Sequence, residues 1–185
     1  MDRDTMGNRI ISTRRAVVLG IGATLAAPAL ARARVPNTRA LTVHNTRTDE
    51  RFSGVYYADG VYEPDAMTAL DSILRDHTAD EVTIMDVRLY DLFSRLQEAL
   101  DKTDPLRITS GYRTRATNDA LRKRTRWAAK NSLHIEGMAA DFKLPGTSSN
   151  TLSRAAKTLK MGGVGRYRGA SFIHVDVGDV RSWVR

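Results

Sequence analysis

Apolar and polar positions change their period several times along this chain, and each change marks an element. From Leu41 to Pro64, LTVHNTRTDERFSGVYYADGVYEP alternates apolar with polar residues and is interrupted by Ala58-Asp59-Gly60. That pattern predicts a β-hairpin. The period then lengthens. In EPDAMTALDSILRDHT, Met67, Leu70, Ile73 and Leu74 fall at helical spacing. Asp86 stands where a helix cap belongs, ahead of a stripe formed by Leu89, Leu92, Phe93, Leu96 and Leu100. LRITSGY (106–112) reads as a strand ending in a Ser-Gly turn, and TNDALRKRTRWA as a basic helix. MAADFKL is a strand, SSNTLSRAAKTLK a helix opening on serine caps, and GGVGRY and SFIHVDVG two short strands. The pattern contains no internal repeat. Helices concentrated early and strands late predict a single α+β domain with a small, mainly antiparallel sheet packed with helices. The domain is expected to occupy residues 41–185, after a polar linker over 34–40 that contains Pro36.

The first 33 residues read as an address rather than as part of the fold. A polar, basic start leads to Arg14-Arg15, an apolar run covers Ala16 to Leu30, and small residues recur at Ala29, Ala31 and Ala33, as a signal peptidase requires. The run is short and rich in Gly and Ala for a membrane span. The arginine pair resembles the twin-arginine export signal, with Val17 where a phenylalanine is usual. Export to the periplasm is the expectation, with membrane attachment only if this segment stays uncleaved.

Composition narrows the chemistry. The 185 residues suffice for one ordinary domain, and 42% of them are hydrophobic, enough for a packed core. There is no cysteine, which excludes disulfides, thiolate metal sites and a cysteine nucleophile. The net charge of +8 could attract an anionic polymer or a membrane surface. Five arginines and two aspartates lie in the first 33 residues, however, leaving 24 basic and 19 acidic residues of the 29 and 21. So small an excess in an exported domain argues against a nucleic-acid partner. A monomer is expected.

The polar residues of the late strands carry the chemistry. On a strand, alternate residues share a face. In SFIHVDVG, Ile173, Val175 and Val177 would face the core, while Phe172, His174 and Asp176 face the other way. In MAADFKL, Ala140, Phe142 and Leu144 share one face and Ala139, Asp141 and Lys143 the other. If the two strands pair, Asp141 meets His174, and His134 can arrive from the preceding loop. Residues of these types form either an ordinary hydrogen-bonded His–Asp cluster or the ligands of a metal. Two imidazoles and one carboxylate suit zinc and leave one tetrahedral position open, as in catalytic rather than structural sites. Hydrolysis of an amide is the reaction that such a site serves. His44 and His77 have no comparable surroundings and read as structural.

SGYRTRATNDALR, SLHIEGMAADF and GGVGRYRGASFIHVDVGDVRSW resemble the murein-hydrolase branch of the zinc D-Ala-D-Ala peptidases, part of a larger group of lysostaphin-type, D-Ala-D-Ala and hedgehog-like zinc folds. The likeness runs from Leu41 to Trp183. Its most specific part is S-x-H-x-x-G-x-A-x-D, present as Ser132, His134, Gly137, Ala139 and Asp141. The resemblance implies a periplasmic, zinc-dependent peptidase acting on peptidoglycan, with His134, Asp141 and His174 as zinc ligands. It implies that Arg113 stabilises the developing oxyanion or holds a substrate carboxylate, that Ser132 binds the substrate terminus, and that Asn118 shapes its loop. Better-known relatives carry a glutamate base three residues before the last histidine, where this chain has Ser171. Asp176 could replace it or could orient a ligand, and Glu136 is a third candidate. The departure leaves room for a non-catalytic, zinc-containing wall-binding protein. A D-alanine carboxypeptidase is a further alternative, because the resemblance does not fix which bond is cut.

Overall fold

The computed structural model describes residues 37–125 and 127–185. The expected export signal therefore lies outside the described residues, as does most of the expected linker. Eight strands and four helices follow in the order β1 (Thr38–Asn45), β2 (Arg51–Ala58), β3 (Val61–Tyr62), α1 (Pro64–Ile73), α2 (Val87–Ala99), β4 (Leu106–Ser110), α3 (Arg115–Arg124), β5 (Ala139–Lys143), α4 (Ser149–Leu159), β6 (Gly163–Arg166), β7 (Ile173–Asp176) and β8 (Arg181–Val184). The domain is α+β, as the pattern predicts. The sheet is larger than expected: all eight strands join it, in the order β3-β2-β1-β4-β5-β7-β6-β8. Most neighbours are antiparallel, but β1 runs parallel to β4 and β6 parallel to β8. The first crossover returns through α1 and α2, which supply the length that a parallel connection needs.

The expected hairpin exists between β2 and β3. Its turn places Asp59 and Gly60 at φ 48° and 98°, the left-handed geometry of a tight hairpin. A second hairpin, β1 to β2, precedes it, and β1 begins at Thr38, inside the expected linker. Tertiary partners explain why so polar a segment is a strand. The Arg39 guanidinium lies 4.1 Å from the Tyr57 ring centroid and donates to Asp91 at 2.5 Å.

One sheet face carries the core. Leu41, Val43, Leu106, Ile108, Ala140, Phe142, Ile173 and Val175 are buried there beneath the helices. Helix α2 packs on β1 and α4, and α4 packs on β6 and β7. Asp86 caps α2 by accepting from the Arg88 amide, and Ser148 caps α4 by accepting from Thr151. The Phe93 and Phe142 rings meet edge to face at 5.1 Å, which shows which side of β5 is covered. Helix α3 differs: only Asn118 is buried along it. The opposite face of β5 and β7 is thus left for polar chemistry.

Candidate metal centre and its cleft

Strands β5 and β7 pair antiparallel with Asp141 directly opposite His174, in the register that the alternation requires. Both side chains therefore project from the face away from the helices. His134 comes from the loop before β5. That loop is held by the Arg113 amide donating to the His134 carbonyl (3.1 Å), the Asp86 amide donating to Gly137 (3.0 Å) and Val177 donating to Met138 (3.1 Å). The S-x-H-x-x-G-x-A-x-D motif has a local physical meaning. Ser132 Oγ accepts from the His134 amide at 3.4 Å. Gly137 sits at φ 67°, and a Cβ there would stand 3.0 Å from the Ile84 carbonyl. Ala139, fully buried, brings the chain into β5 without crowding Asp176 across the ladder.

The three groups form one tight triangle. His134 Nε2 lies 3.2 Å from His174 Nδ1, His174 Nδ1 lies 3.0 Å from Asp141 Oδ1, and His134 Nε2 lies 3.3 Å from that same oxygen. Nitrogen and oxygen ligands held tetrahedrally about 2.0–2.1 Å from zinc stand about 3.3 Å apart, so the spacing fits a shared ion. Among the described residues this is the one cluster able to hold a metal. His44 and His77 are elsewhere, bonded to Asp49 at 2.7 Å and to Asn45 at 2.6 Å respectively.

Each member is also gripped from behind. His134 Nδ1–H donates to the Gly111 carbonyl at 2.6 Å, leaving the Nε2 lone pair to face the centre. His174 Nε2 is bonded to Asp176 Oδ2 at 3.1 Å, so its Nδ1 turns inward. Asp141 Oδ2 accepts from Arg113 at 2.6 Å, and Arg113 Nε donates to Ser110 Oγ at 2.8 Å. Burial pushes the His134 imidazole below its ordinary value and favours the neutral form that a metal ligand must take. Burial opposes the charged form of Asp141 as well, but the two imidazoles hold its carboxyl well below the usual range. His174 is depressed by burial and raised more strongly by its bonds to Asp141 and Asp176.

Asp176 is completely buried and turned away from the centre. Its Oδ1 accepts from the Gly163 amide (3.1 Å), the Gly178 amide (3.0 Å) and Arg181 (2.9 Å), and its Oδ2 accepts from Arg181 at 2.7 Å. Burial raises its pKa, yet His174 and Arg181 bring it down to about 2. Glu136 is exposed and does not line the cleft.

The triangle forms part of the floor of a cleft of about 240 Å³, which Arg113 and Ser132 also line. Asn118 lies behind it and donates to the Ala129 carbonyl at 3.0 Å, the loop-holding position expected of it. The cleft wall holds residues that the sequence pattern did not single out: Trp127, Tyr167, Arg181 and Trp183. Trp183 covers His174, their rings 5.3 Å apart. Their one signal in the sequence is a set of three aromatic-plus-basic segments, RTRW, RYR and RSW, separated along the chain.

The profile of a peptidase family described as peptidoglycan L,D-endopeptidase MepK matches residues 33–183. The chain belongs to this family. Like the other members it can be compared with, it is a peptidase-type protein over nearly its whole length. The peptidoglycan L,D-endopeptidase MepK of Escherichia coli K12 is 34% identical over 183 residues, covering 99% of this chain and all of that protein. A probable peptidoglycan L,D-endopeptidase MepK of Haemophilus influenzae is 37% identical over 168 residues, 90% of each chain. The MepK-family assignment agrees with the resemblance carried by the SLHIEGMAADF and SFIHVDVG segments, whose polar residues meet in the triangle.

Proposed function

We propose that this protein is a zinc-dependent peptidoglycan endopeptidase acting in the periplasm, with His134, Asp141 and His174 as the zinc ligands. The observation that carries the reading is the triangle of three inward-facing donor atoms, 3.0–3.3 Å apart, on the floor of an open cleft. Zinc held there would supply a Lewis acid for the scissile carbonyl and lower the pKa of water to about 7.

The chain's own residues do the rest. Arg113 fixes the outer oxygen of Asp141 and lies at the cleft edge, where its remaining N–H groups can meet negative charge developing on the carbonyl. Ser132 braces the His134 loop and lines the cleft, within reach of a substrate chain. Asp176 acts as a positioning residue: it holds the outer nitrogen of His174 and keeps the ring turned inward. Acceptance of the water proton is not assigned to it, because the His174 ring stands between its carboxylate and the centre.

The names of the relatives bear on the bond. A link between two diaminopimelate residues joins an L-centre carbonyl to a D-centre amine, whereas a D-alanine-to-diaminopimelate link joins two D centres. The L,D designation of the relatives favours the first as substrate. The arginine pair and apolar run at the N-terminus support delivery to the compartment where that polymer lies. Among the described residues, no helix is long and apolar enough to cross a membrane.

Digestion of purified cross-linked muropeptides, analysed by mass spectrometry, tests the reading. Cleavage of the diaminopimelate-to-diaminopimelate dimer is expected, abolished by chelator and restored by zinc. Cleavage that persists in chelator would remove the metal mechanism, and exclusive cleavage of D-alanine links would remove the bond assignment.

A further inference from the structure

The cleft that Arg113 lines also has aromatic walls, and one of its rings is open to solvent. Trp127 is 50% exposed, on the loop that leads from α3 to the His134 segment. Its indole stacks on Tyr167 with centroids 5.4 Å apart and planes 27° from parallel. Tyr167 in turn packs on Phe172 at 5.4 Å. One indole face is thus covered and the other is left to solvent. The backbone that carries the ring is tied at both its polar groups, the Trp127 amide donating to Thr125 Oγ1 at 3.2 Å and the Trp127 carbonyl accepting from Arg185 at 3.2 Å, while the ring itself is backed by Tyr167. Arg185 belongs to the chain end after β8 and also lines the cleft. A braced tryptophan with one free face, in the same cleft as the metal centre, has the form of a stacking platform.

The chemistry of the substrate says what would stack there. This step rests on the peptidoglycan reading above. The stem peptides of that polymer offer small or charged groups: alanines, a glutamate and the diaminopimelate side chain. None presents a broad, flat apolar surface. The glycan strand does, because a pyranose ring carries a face of axial C–H groups that lies flat on an aromatic ring. We propose that Trp127, backed by Tyr167, is a glycan subsite that binds an amino-sugar ring of the strand while the cross-linking peptide lies over the metal centre. The enzyme would then distinguish cross-links still attached to glycan from free peptide fragments.

Two measurements on the full chain test this. The first compares kcat/KM for a cross-linked dimer carrying its disaccharides with that for the same dimer stripped of sugar. The wild-type protein should favour the sugar-bearing dimer. In Trp127→Ala that ratio should fall about tenfold, the usual order of loss when a tryptophan anchor is truncated. Trp127→Tyr, which keeps a flat ring, should recover most of it. The second is binding of peptide-free glycan strands, followed by tryptophan fluorescence. Trp183 lines the same cleft and reports binding in the variants too, so affinity is compared between the wild-type protein and Trp127→Ala, whereas Trp127→Phe, which keeps a flat ring, should bind nearly as well as the wild-type protein. A cleavage ratio unaltered by Trp127→Ala, or an affinity for glycan strands unaltered by Trp127→Ala, overturns the glycan subsite. A wild-type protein that cleaves neither dimer overturns the peptidoglycan reading instead, and glycan-strand binding still decides the role of Trp127 in that case.

Discussion

At the scale of single residues, the centre depends on a second ring of contacts as much as on the three inward-facing donors. Each donor has its free atom chosen by a partner behind it: Gly111 for His134, Arg113 for Asp141 and Asp176 for His174. Arg181 extends the last of these by gripping both oxygens of Asp176. Loss of such a contact typically weakens metal affinity about 10–100-fold. Asp176→Asn is nearly isosteric but puts an amide where two arginine bonds and one imidazole bond converge. It should therefore weaken zinc binding by about that factor and reduce activity with it, measured by competition with a zinc indicator and by dimer cleavage on one preparation. Retained zinc affinity with lost cleavage would remove the positioning role of Asp176. Arg181→Ala, acting through Asp176, should shift zinc affinity in the same direction, and an unchanged affinity would remove Arg181 from the positioning chain.

At the scale of elements, the strand pair β6–β8 explains how bulky groups come to lie over the site. Gly163 and Gly165 alternate along β6, and a Cβ on either would run into the layer above it. At Gly163 it would meet Asp176 and Arg181, and at Gly165 it would stand 2.5–2.8 Å from the Trp183 indole. These glycines matter for the space they leave rather than for unusual backbone angles. Gly165→Ala should push Trp183 off His174 and destabilise the domain by about 1–3 kcal/mol, as overpacking does. Chemical denaturation measures this, and the same substitution in a Trp183→Ala background should be markedly less harmful, since neighbours that clash are non-additive. Equal losses in both backgrounds would place the strain elsewhere. The elements most legible in the sequence were the ones with a clear period. The Leu89–Leu100 stripe became α2 behind its Asp86 cap, and the two alternating segments became β5 and β7. Strand β8 had no such signal, because in RSWV only Trp183 is even half-buried.

At the scale of the whole molecule, zinc should tie the sheet to the loop that precedes it. His134 stands in that loop and the other two donors on β5 and β7, so an ion bound by all three binds only the folded chain. Saturating zinc, at about a thousand times its dissociation constant, would add about 4 kcal/mol of stability. For a domain of this size that corresponds to a melting temperature higher by roughly 10 °C. Calorimetry with and without chelator measures the difference, and identical melting curves would mean that the triangle holds no metal in solution. What the sequence determined by itself was the set of faces. Alternation along MAADFKL and SFIHVDVG put Asp141 and His174 on polar faces whatever the rest of the chain did, because a strand has a period of two. What only the tertiary structure decided was the pairing and the aim. The register that sets Asp141 opposite His174, the ring nitrogen that each histidine turns inward, and the burial of Asp176 behind His174 all depend on hydrogen bonds between residues far apart in the chain. The size of the sheet and the Trp127–Tyr167 wall belong to the same class. Strand neighbours β1–β4 and β6–β8, and an aromatic stack spanning residues 127 to 172, are contacts that no local period encodes.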